Sequence, residues 1–251
     1  MYGKLEEKTF PRRLEQHFYP SDFYARCATC FVAFSALLVL SPLLLICALI
    51  IRISSPGKIF FRQQRVGRGG EIFTLYKFRT MVASTEGLPI TAANDCRITL
   101  FGRILRKSKF DELPELYNVL LGDMSFIGPR PEVVELVDLE NPMWHEILRV
   151  RPGITDPVTL QFRNEENLLA GVEDKKKFYL EVIQPYKLNG YTEYLKSKNL
   201  KNDLKVVAQT FKVVLFPQTA PPLKIEEINS SKRSDVNVSL AVRHSVRQIK
   251  K

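Results

Sequence analysis

The chain has 251 residues, and its 37 lysines and arginines outnumber its 27 aspartates and glutamates, which gives a net charge of +10. Apolar residues make up 45% of the chain and charged residues 25%, so global disorder is excluded, and four cysteines are too few for a disulfide scaffold. The positive surplus indicates an anionic partner: nucleic acid, acidic lipid or a phosphorylated small molecule.

An uncharged, apolar run between Cys27 and Ile51 is long enough to enter a bilayer. Pro42 lies near its middle and is expected to kink or break the helix, while the hydroxyl of Ser41 could satisfy the freed backbone groups. Neither half alone would cross a hydrocarbon core of roughly 30 Å. A sharp bend would let the segment enter and leave the membrane on one side, as a re-entrant helix.

Basic residues flank this run on both sides. Since basic flanks prefer the cytoplasmic side, a re-entrant helix keeps both flanks there, whereas a spanning helix translocates one of them. A proline-kinked single span is the alternative, and these residues alone do not separate the two. The flanking residues are Lys4, Lys8, Arg12, Arg13 and Arg26 before the run, and Arg52, Lys58, Arg62, Arg65 and Arg68 after it.

The rest of the chain reads as a mixture of short strands and helices. Strands are predicted within residues 58–78, around a turn at 66–70. Loops are predicted at 84–95 and 122–131. Helices are predicted at 100–107, 113–121, 133–150, 165–170, 175–183 and 202–215, the last of them amphipathic. The stretch after residue 222 is basic and reads as a solvated or membrane-touching tail.

The acidic pair Asp111 and Glu112 lies just before Pro114, a residue that is tolerated only near the start of a helix. A helix start offers free N–H groups and favours anions and phosphates. Adjacent side chains point in different directions, so the two carboxylates could serve as one nucleophile and one metal ligand. On these two residues alone, a pair that only caps a helix is the more common explanation.

Several cations surround this pair in the sequence, and Arg130 is the most distinctive. Pro129 and Pro131 fix the backbone on both of its sides, and such stiffness suits bidentate recognition of phosphate or carboxylate. Scattered histidines disfavour a histidine triad or a zinc site, and no Walker or Rossmann glycine loop is present. The other candidate cations are Lys77, Arg79, Arg103, Arg106, Arg151 and Arg163.

Taken together, these motifs resemble the bacterial sugar transferases, a family of monotopic phosphoglycosyl transferases. The strongest match is unbroken from Asp111 to Pro131, and the resemblance covers roughly residues 22–215. Asp156-Pro157 and the segment 161–166 depart from the usual pattern, which bears on the choice of sugar more than on the chemistry. The shorter matching stretches are Ser41-Pro42, 64–67, 77–81, Ile98-Thr99 and 151–155.

The resemblance implies an α+β fold in a monotopic membrane protein. A re-entrant, kinked helix near the N-terminus would hold a small cytosolic α/β catalytic domain that lies on the membrane through interfacial amphipathic helices. The implied location is the bacterial inner (cytoplasmic) membrane, with the catalytic domain facing the cytoplasm. The implied divisions are a lead-in at 1–22, the membrane helix at 23–53, the catalytic domain at 54–222 and a basic tail at 223–251.

The implied reaction moves a sugar-1-phosphate from a UDP-sugar to polyprenyl (undecaprenyl) phosphate and releases UMP. It would initiate the synthesis of exopolysaccharide, capsule, O-antigen or glycoprotein glycans. By resemblance Asp111 is the nucleophile that forms a covalent aspartyl phosphosugar, and Glu112 holds Mg²⁺ together with substrate oxygens. The implied phosphate- and uridine-binding residues are Lys77, Arg79, Arg106, Arg130, Arg151 and Arg163.

The expected partners are the UDP-sugar, polyprenyl phosphate and membrane lipid, and not nucleic acid. Downstream glycosyltransferases and a homodimer are left open. The alternative from another class is a membrane-anchored, non-enzymatic basic domain that binds nucleic acid or acidic lipid. It explains the charge and the anchor, but it leaves the Asp111 to Pro131 match unexplained.

Overall fold

The computed structural model of the protein describes residues 20–82 and 95–216, together with residue 228. Most of the predicted lead-in, polar loop and basic tail lies outside the described residues. The described helices and strands, in chain order, are α1 (Pro20–Ser54), β1 (Phe60–Val66), β2 (Ile72–Phe78), α2 (Leu100–Ser108), α3 (Glu115–Leu121), β3 (Ser125–Ile127), α4 (Pro142–Ile147), β4 (Gly153–Thr155), α5 (Pro157–Gln161), α6 (Glu165–Leu169), α7 (Lys175–Phe178), α8 (Gln184–Lys196) and α9 (Leu200–Leu215).

Helix α1 is long and apolar enough to cross a membrane by length and composition. It continues through Pro42, which cannot donate a hydrogen bond to the carbonyl of Leu38 four residues earlier. The Ser41 hydroxyl donates to that same carbonyl at 2.7 Å. The expectation that Ser41 satisfies the backbone group freed by the proline is confirmed, whereas a sharp bend at this point stays a prediction.

One face of α1 packs against the rest of the protein near both of its ends. Toward its N-terminal end, Ala33 is buried with Leu75, Val119 and Met124. Toward its C-terminal end, a second cluster joins helix residues to β2 and α2. That cluster contains Cys47, Ile51, Phe78 and Leu105. The other faces of α1 expose large apolar side chains, including Phe31, Phe34, Leu38, Val39, Leu45 and Leu49.

Strands β1 and β2 form the predicted antiparallel hairpin, with Phe60 opposite Phe78 and Val66 opposite Ile72. A short 3-10 turn at Arg68–Gly70 joins them, and Gly69 adopts a φ of 69° there. Because a positive φ disfavours residues with a Cβ, the glycines explain why the chain turns at this point. The hairpin presents Lys77, near the end of β2, toward the acidic pair.

Strands β3 and β4 pair in parallel, with Ser125 opposite Gly153 and Ile127 opposite Thr155. The prediction of an uninterrupted loop at 122–131 is therefore wrong. Each strand has only three residues, which is too short to show an alternating pattern, and the pairing joins distant parts of the chain. This pair matters for the site because the loop that carries Arg130 leaves directly from β3.

The predicted helix at 133–150 is also wrong as a single element. A 3-10 turn covers Val134–Leu136, and the α-helix begins at Pro142. The side chain of Asn141 accepts a hydrogen bond from the N–H of Met143 and caps this helix, and proline is favoured in the first turn because it has no N–H to leave unpaired. Helices α5 and α8 also begin with a proline in their first turn and were not predicted.

The main core lies between α4, α5, α8 and the segment Tyr179–Ile183. Its buried residues include Trp144, Ile147, Phe162 and Leu188. Ile228 joins this core and is only 1% exposed. At that described position, the predicted tail packs against the domain, which corrects the expectation of a fully solvated or membrane-touching segment.

A buried asparagine fixes α3 against β2. The side chain of Asn118 accepts a hydrogen bond from the N–H of Tyr76 at 3.0 Å and donates to the carbonyl of Thr74 at 2.7 Å. It also donates to the carboxylate of Asp123 at 3.1 Å. Because the Asn118 side chain is fully buried and needs these partners, it fixes the position of α3 relative to the strand that carries Lys77.

Candidate active site

The acidic pair lies in a 3-10 turn, Phe110–Glu112, between α2 and α3. Lys109 ends α2 in the left-handed conformation with a φ of 62°, and it is the one non-glycine residue with positive φ in the part of the chain that the structure describes. Such a conformation costs on the order of 1 kcal/mol or more and is typical of functional sites. The turn places both carboxylates just before α3, as predicted.

Glu112 binds two cations that come from separate elements. Its Oε1 atom lies 3.0 Å from Nζ of Lys77 and 2.5 Å from Nη2 of Arg130. Nη1 of Arg130 donates to Oε2 at 3.4 Å. The structure therefore brings together three residues that were predicted from separate motifs.

Glu115 is a third carboxylate at this site and was not predicted. It is 1% exposed, and its Oε1 atom lies 3.2 Å from Nζ of Lys77. Lys77 is therefore held between Glu112 and Glu115. Glu115 follows Glu112 by three residues in the sequence. This spacing could have indicated a third carboxylate at the site, because residues three apart share a helix face.

The loop that carries Arg130 is held from two sides. On one side, Gly128 and Gly153 bring β3 and β4 so close that a Cβ on Gly153 would lie 2.1 Å from the backbone nitrogen of Gly128. On the other side, Nη1 of the partly buried Arg65 donates to the carbonyl of Pro131 at 2.9 Å. Both contacts restrict where the Arg130 guanidinium can lie.

Asp111 and Glu112 have widely separated pKa values although they are neighbours. Burial raises the pKa of Asp111 to about 6, and the charge of Glu112 contributes to the rise. Burial also acts to raise the pKa of Glu112, but the charges of Arg130, Lys77 and Lys109 outweigh it and hold that pKa well below its usual value. Two carboxylates with separated pKa values are typical of a catalytic pair with divided roles.

Asp111 has one carboxylate oxygen that lacks a hydrogen-bond partner among the described residues. Its side chain is buried, and its Oδ1 atom has no hydrogen-bond partner among the residues that the structure describes. A buried carboxylate oxygen without a partner is costly in a folded protein, so it needs a functional explanation. A reacting phosphorus atom or a metal ion would provide one.

Arg106 lies close enough to Asp111 for its charge to lower the pKa of that carboxyl. Its Nε atom donates to the hydroxyl of Thr80 at 2.8 Å, and Nη1 forms an ion pair with Glu166. Glu166 belongs to α6, within the segment that departs from the family pattern. Sequence reasoning missed Thr80 and Glu166, because neither belongs to a motif that by itself indicates chemistry.

Three other predicted cations have different surroundings. Arg79 donates to backbone carbonyls where α1 ends, including that of Ser55 at 2.7 Å. Arg151 donates through Nε to the carbonyl of Gly122 at 3.1 Å, at the end of α3. Arg163 lies between α5 and α6. Arg79 and Arg151 thus contact backbone carbonyls, and the role of Arg151 and Arg163 in phosphate binding stays a prediction.

The donor set at the pair suits a hard cation that brings ligands of its own. Within the described ranges, no group of three or more His, Cys, Asp and Glu side chains converges as a metal site. Mg²⁺ commonly uses only one or two carboxylates and takes its other ligands from water and substrate phosphates. The unpartnered oxygen of Asp111 and the carboxylate of Glu112 fit that mode of binding.

A sequence model described as bacterial sugar transferase matches residues 20–217 of the chain. The match begins at the first residue of α1 and ends just beyond α9. It therefore includes the apolar helix, the hairpin, the acidic pair and the Arg130 loop.

Curated relatives agree with this match. The chain is 43% identical over 144 residues to a UDP-N-acetylgalactosamine-undecaprenyl-phosphate N-acetylgalactosaminephosphotransferase of Aeromonas hydrophila, which covers 54% of the chain and 34% of the relative. It is 38% identical over 196 residues to a UDP-glucose:undecaprenyl-phosphate glucose-1-phosphate transferase of Xanthomonas campestris pv. campestris, covering 75% of the chain and 38% of the relative. It is 44% identical over 138 residues to the exopolysaccharide production protein PSS of Rhizobium leguminosarum bv. phaseoli, covering 50% and 67%. The match thus spans about a third of the length of the first two relatives.

Proposed function

The chain belongs to the bacterial sugar transferase family, and on this premise we propose that it transfers a sugar-1-phosphate from a UDP-sugar to undecaprenyl phosphate and releases UMP. Relatives from two organisms carry names that describe this type of reaction. The observation that carries the proposal is the buried Asp111, whose free oxygen faces no protein donor among the described residues while cations surround it. That arrangement suits a carboxylate that attacks a phosphate.

The proposed reaction has two displacement steps at one phosphorus atom. An oxygen of Asp111 attacks the sugar-bearing phosphorus, the bond from that phosphorus to the bridging oxygen breaks, and UMP leaves with the bridging oxygen. An oxygen of undecaprenyl phosphate then attacks the same phosphorus, and the Asp111 carboxylate leaves. Covalent catalysis of this kind divides a difficult encounter between two anionic substrates into two easier steps.

Cations of the chain reduce the repulsion between a carboxylate and a diphosphate. Arg130 and Lys77 contact Glu112, and the charge of Arg106 acts on Asp111. Unit charges about 4 Å apart interact by about 4 kcal/mol at an effective dielectric of 20, so each cation can contribute substantially to binding the phosphates. Arg130 suits this role best, because its planar guanidinium can contact two phosphate oxygens at once.

We propose Glu112 as the residue that would hold Mg²⁺, together with substrate oxygens. The ion would neutralise phosphate charge and polarise the phosphoryl group when bound. For Glu112 to contact a metal, it must give up one of its cation contacts. Lys77 can be released without being left unpaired, because Glu115 lies 3.2 Å from its Nζ atom.

The elevated pKa of Asp111 predicts a pH dependence for the first step. The attacking carboxylate must be ionised, and its pKa is raised to about 6, so the ionised fraction falls about tenfold between pH 7 and pH 5. The rate of adduct formation in a single turnover should fall by a similar factor. A rapid-quench measurement of UMP release without acceptor tests this, and a flat rate between these pH values would contradict it.

The contacts of α1 support a re-entrant position in the membrane. The side chain of Arg26 donates to the carbonyls of Val119 and Leu120 at the end of α3, and Ile51 packs with Phe78 at the end of β2. A helix that crosses a bilayer carries its two ends roughly 30 Å apart along the membrane normal, so one end would leave a domain lying on the other side. Contacts at both ends favour a helix that enters and leaves on the cytoplasmic side.

Cysteine labelling tests this topology. In a variant without the four native cysteines, single cysteines at the exposed positions Ala25 and Lys58 should both react with a membrane-impermeant maleimide only in inside-out vesicles. A spanning helix would expose one of these positions to reagent added to intact spheroplasts. Reaction of either position under that condition would contradict the re-entrant arrangement.

Two amphipathic helices supply the proposed membrane-facing surface. Helix α9 exposes apolar side chains on one face, while Val206 is buried and the hydroxyl of Thr210 hydrogen-bonds that of Thr155 at 2.8 Å. Exposed apolar patches of this kind are typical of interfacial helices. The exposed side chains are Leu100 and Ile104 on α2, and Leu200, Leu204, Phe211, Val214 and Leu215 on α9.

Release of UMP from a panel of UDP-sugars in the presence of Mg²⁺ and undecaprenyl phosphate tests the proposed function. We expect release with at least one UDP-sugar and formation of a lipid-linked sugar diphosphate. A non-enzymatic basic domain predicts no release with any of them. Family membership and the relatives' names lend that alternative no support.

A further inference from the structure

Arg79 lies two residues after Lys77 in the chain, but its guanidinium contacts the end of α1. Nη2 donates to the carbonyl of Ser55 at 2.7 Å and to its hydroxyl at 2.8 Å, and it lies 3.5 Å from the carbonyl of Ile51. Nη1 donates to the carbonyl of Pro56 at 2.9 Å. These contacts join β2 to the point where the apolar helix leaves the membrane.

A guanidinium at this position is chemically well suited to end a helix. The last carbonyls of a helix have no partner within it, and the C-terminal end carries a partial negative charge. Arg79 donates to the carbonyls of Ser55 and Pro56, which directly follow α1. Its planar guanidinium holds both carbonyls in a fixed geometry that the flexible ammonium of a lysine would not impose.

Gly57 has the conformation that this contact requires. Its φ is +120°, and a Cβ at this position would lie 2.2 Å from Nη1 of Arg79. Both the backbone and the close approach therefore need glycine. The conformation of Gly57 thus makes room for the Arg79 guanidinium. A phosphate-binding role for Arg79 would not explain this conformation.

The stretch from Lys77 to Thr80 connects the membrane helix to the site. Lys77 contacts Glu112 and Glu115, Phe78 packs with Ile51 of α1, and Thr80 accepts a hydrogen bond from Arg106. Loss of the Arg79 contacts would therefore let the end of α1 move relative to the acidic pair.

We propose that Arg79 is a positioning residue that caps the C-terminal end of α1 and fixes the acidic pair at the depth where the phosphate of a membrane lipid lies. The cap is inferred from the contacts of Arg79 alone, whereas its consequence for transfer to the lipid rests on the proposed function. The UDP-sugar arrives from water, so its attack by Asp111 does not depend on that depth. Transfer to undecaprenyl phosphate, which is confined to the bilayer, does depend on it.

Hydrogen exchange of the full chain in lipid nanodiscs tests the cap without any measurement of activity. In Arg79→Gln and Gly57→Ala, amide protection over residues 51–57 should fall at least tenfold. The control Lys58→Gln removes a positive charge from an exposed position in the same turn and should leave protection unchanged. Unchanged protection in both Arg79→Gln and Gly57→Ala would overturn the cap.

Separate measurement of the two half-reactions tests the proposed effect of Arg79 on transfer to the lipid. In nanodiscs, Arg79→Gln should leave single-turnover UMP release from the UDP-sugar within about twofold and reduce transfer to undecaprenyl phosphate at least tenfold, while Arg79→Lys should restore part of the loss. In detergent with a short-chain polyprenyl phosphate, the defect should shrink to within about twofold. A raised KM for the UDP-sugar, or an equal defect in detergent, would overturn the positioning role. Absence of UMP release by the wild type would contradict the proposed function instead. Hydrogen exchange would still test whether Arg79 caps α1.

Discussion

Asp111→Asn is expected to abolish turnover, with a loss on the order of 10³-fold or more, because an amide cannot act as the nucleophile. UMP release should stop even without acceptor, and no covalent adduct should form. Both are measured by nucleotide chromatography and intact-protein mass spectrometry. The exposed Asp138→Asn serves as a matched control and should retain full activity.

The same substitution should stabilise the fold. Burial raises the pKa of Asp111 from 3.8 to about 6, so the ionised carboxylate is disfavoured in the folded protein. Asp111 therefore does not lower the free energy of unfolding at low pH, where its carboxyl is protonated in both the folded and the unfolded state. As the pH rises from 3.8 through 6, the carboxyl ionises more readily in the unfolded state, and at pH 7 and above Asp111 destabilises the fold by about 3 kcal/mol. Thermal unfolding at pH 8 should therefore show a higher Tm for Asp111→Asn. A residue that only capped a helix would lose stability on this change and retain activity.

Glu112→Gln is expected to reduce activity about 100-fold and to raise the Mg²⁺ concentration for half-maximal activity at least tenfold. The amide carries no charge, so Arg130 loses its ion pair at 2.5 Å and a metal ion loses a carboxylate ligand. Arg130 then loses the contact that holds it at the acidic pair. The measurement is a Mg²⁺ titration of UMP release.

The exposed Glu135→Gln is the matched control for this second prediction. It makes the same change of side chain away from the acidic pair, so the Mg²⁺ titration should keep its midpoint. If Glu112→Gln also keeps the wild-type midpoint, Glu112 is not a metal ligand and acts only through Lys77 and Arg130.

Local patterns predicted the features that set the overall plan of the molecule. The charge-free run, the glycine-rich turn between β1 and β2 and the proline after the acidic pair are all signals within a few residues of the element they specify. The structure confirms the long apolar helix, the antiparallel hairpin and the turn that carries Asp111 and Glu112.

The features that sequence reasoning missed depend on contacts between distant segments. The pairing of β3 with β4 joins residues about 30 positions apart, and each strand is too short to show a pattern of its own. The contacts of an arginine side chain also depend on how distant segments pack together. Arg79 and Arg130 were both predicted to bind phosphate, and the sequence does not show that Arg130 lies against Glu112 while Arg79 lies against the end of α1.

The central claim is a covalent intermediate on Asp111, and it can be measured before the acceptor lipid is added. The protein in nanodiscs is mixed with Mg²⁺ and each of a panel of UDP-sugars, and both UMP and protein mass are followed. We expect a burst of up to one UMP per protein and a mass increase of one sugar phosphate that maps to the peptide containing Asp111. UMP release that occurs only after undecaprenyl phosphate is added, with no adduct at any time, would contradict the account.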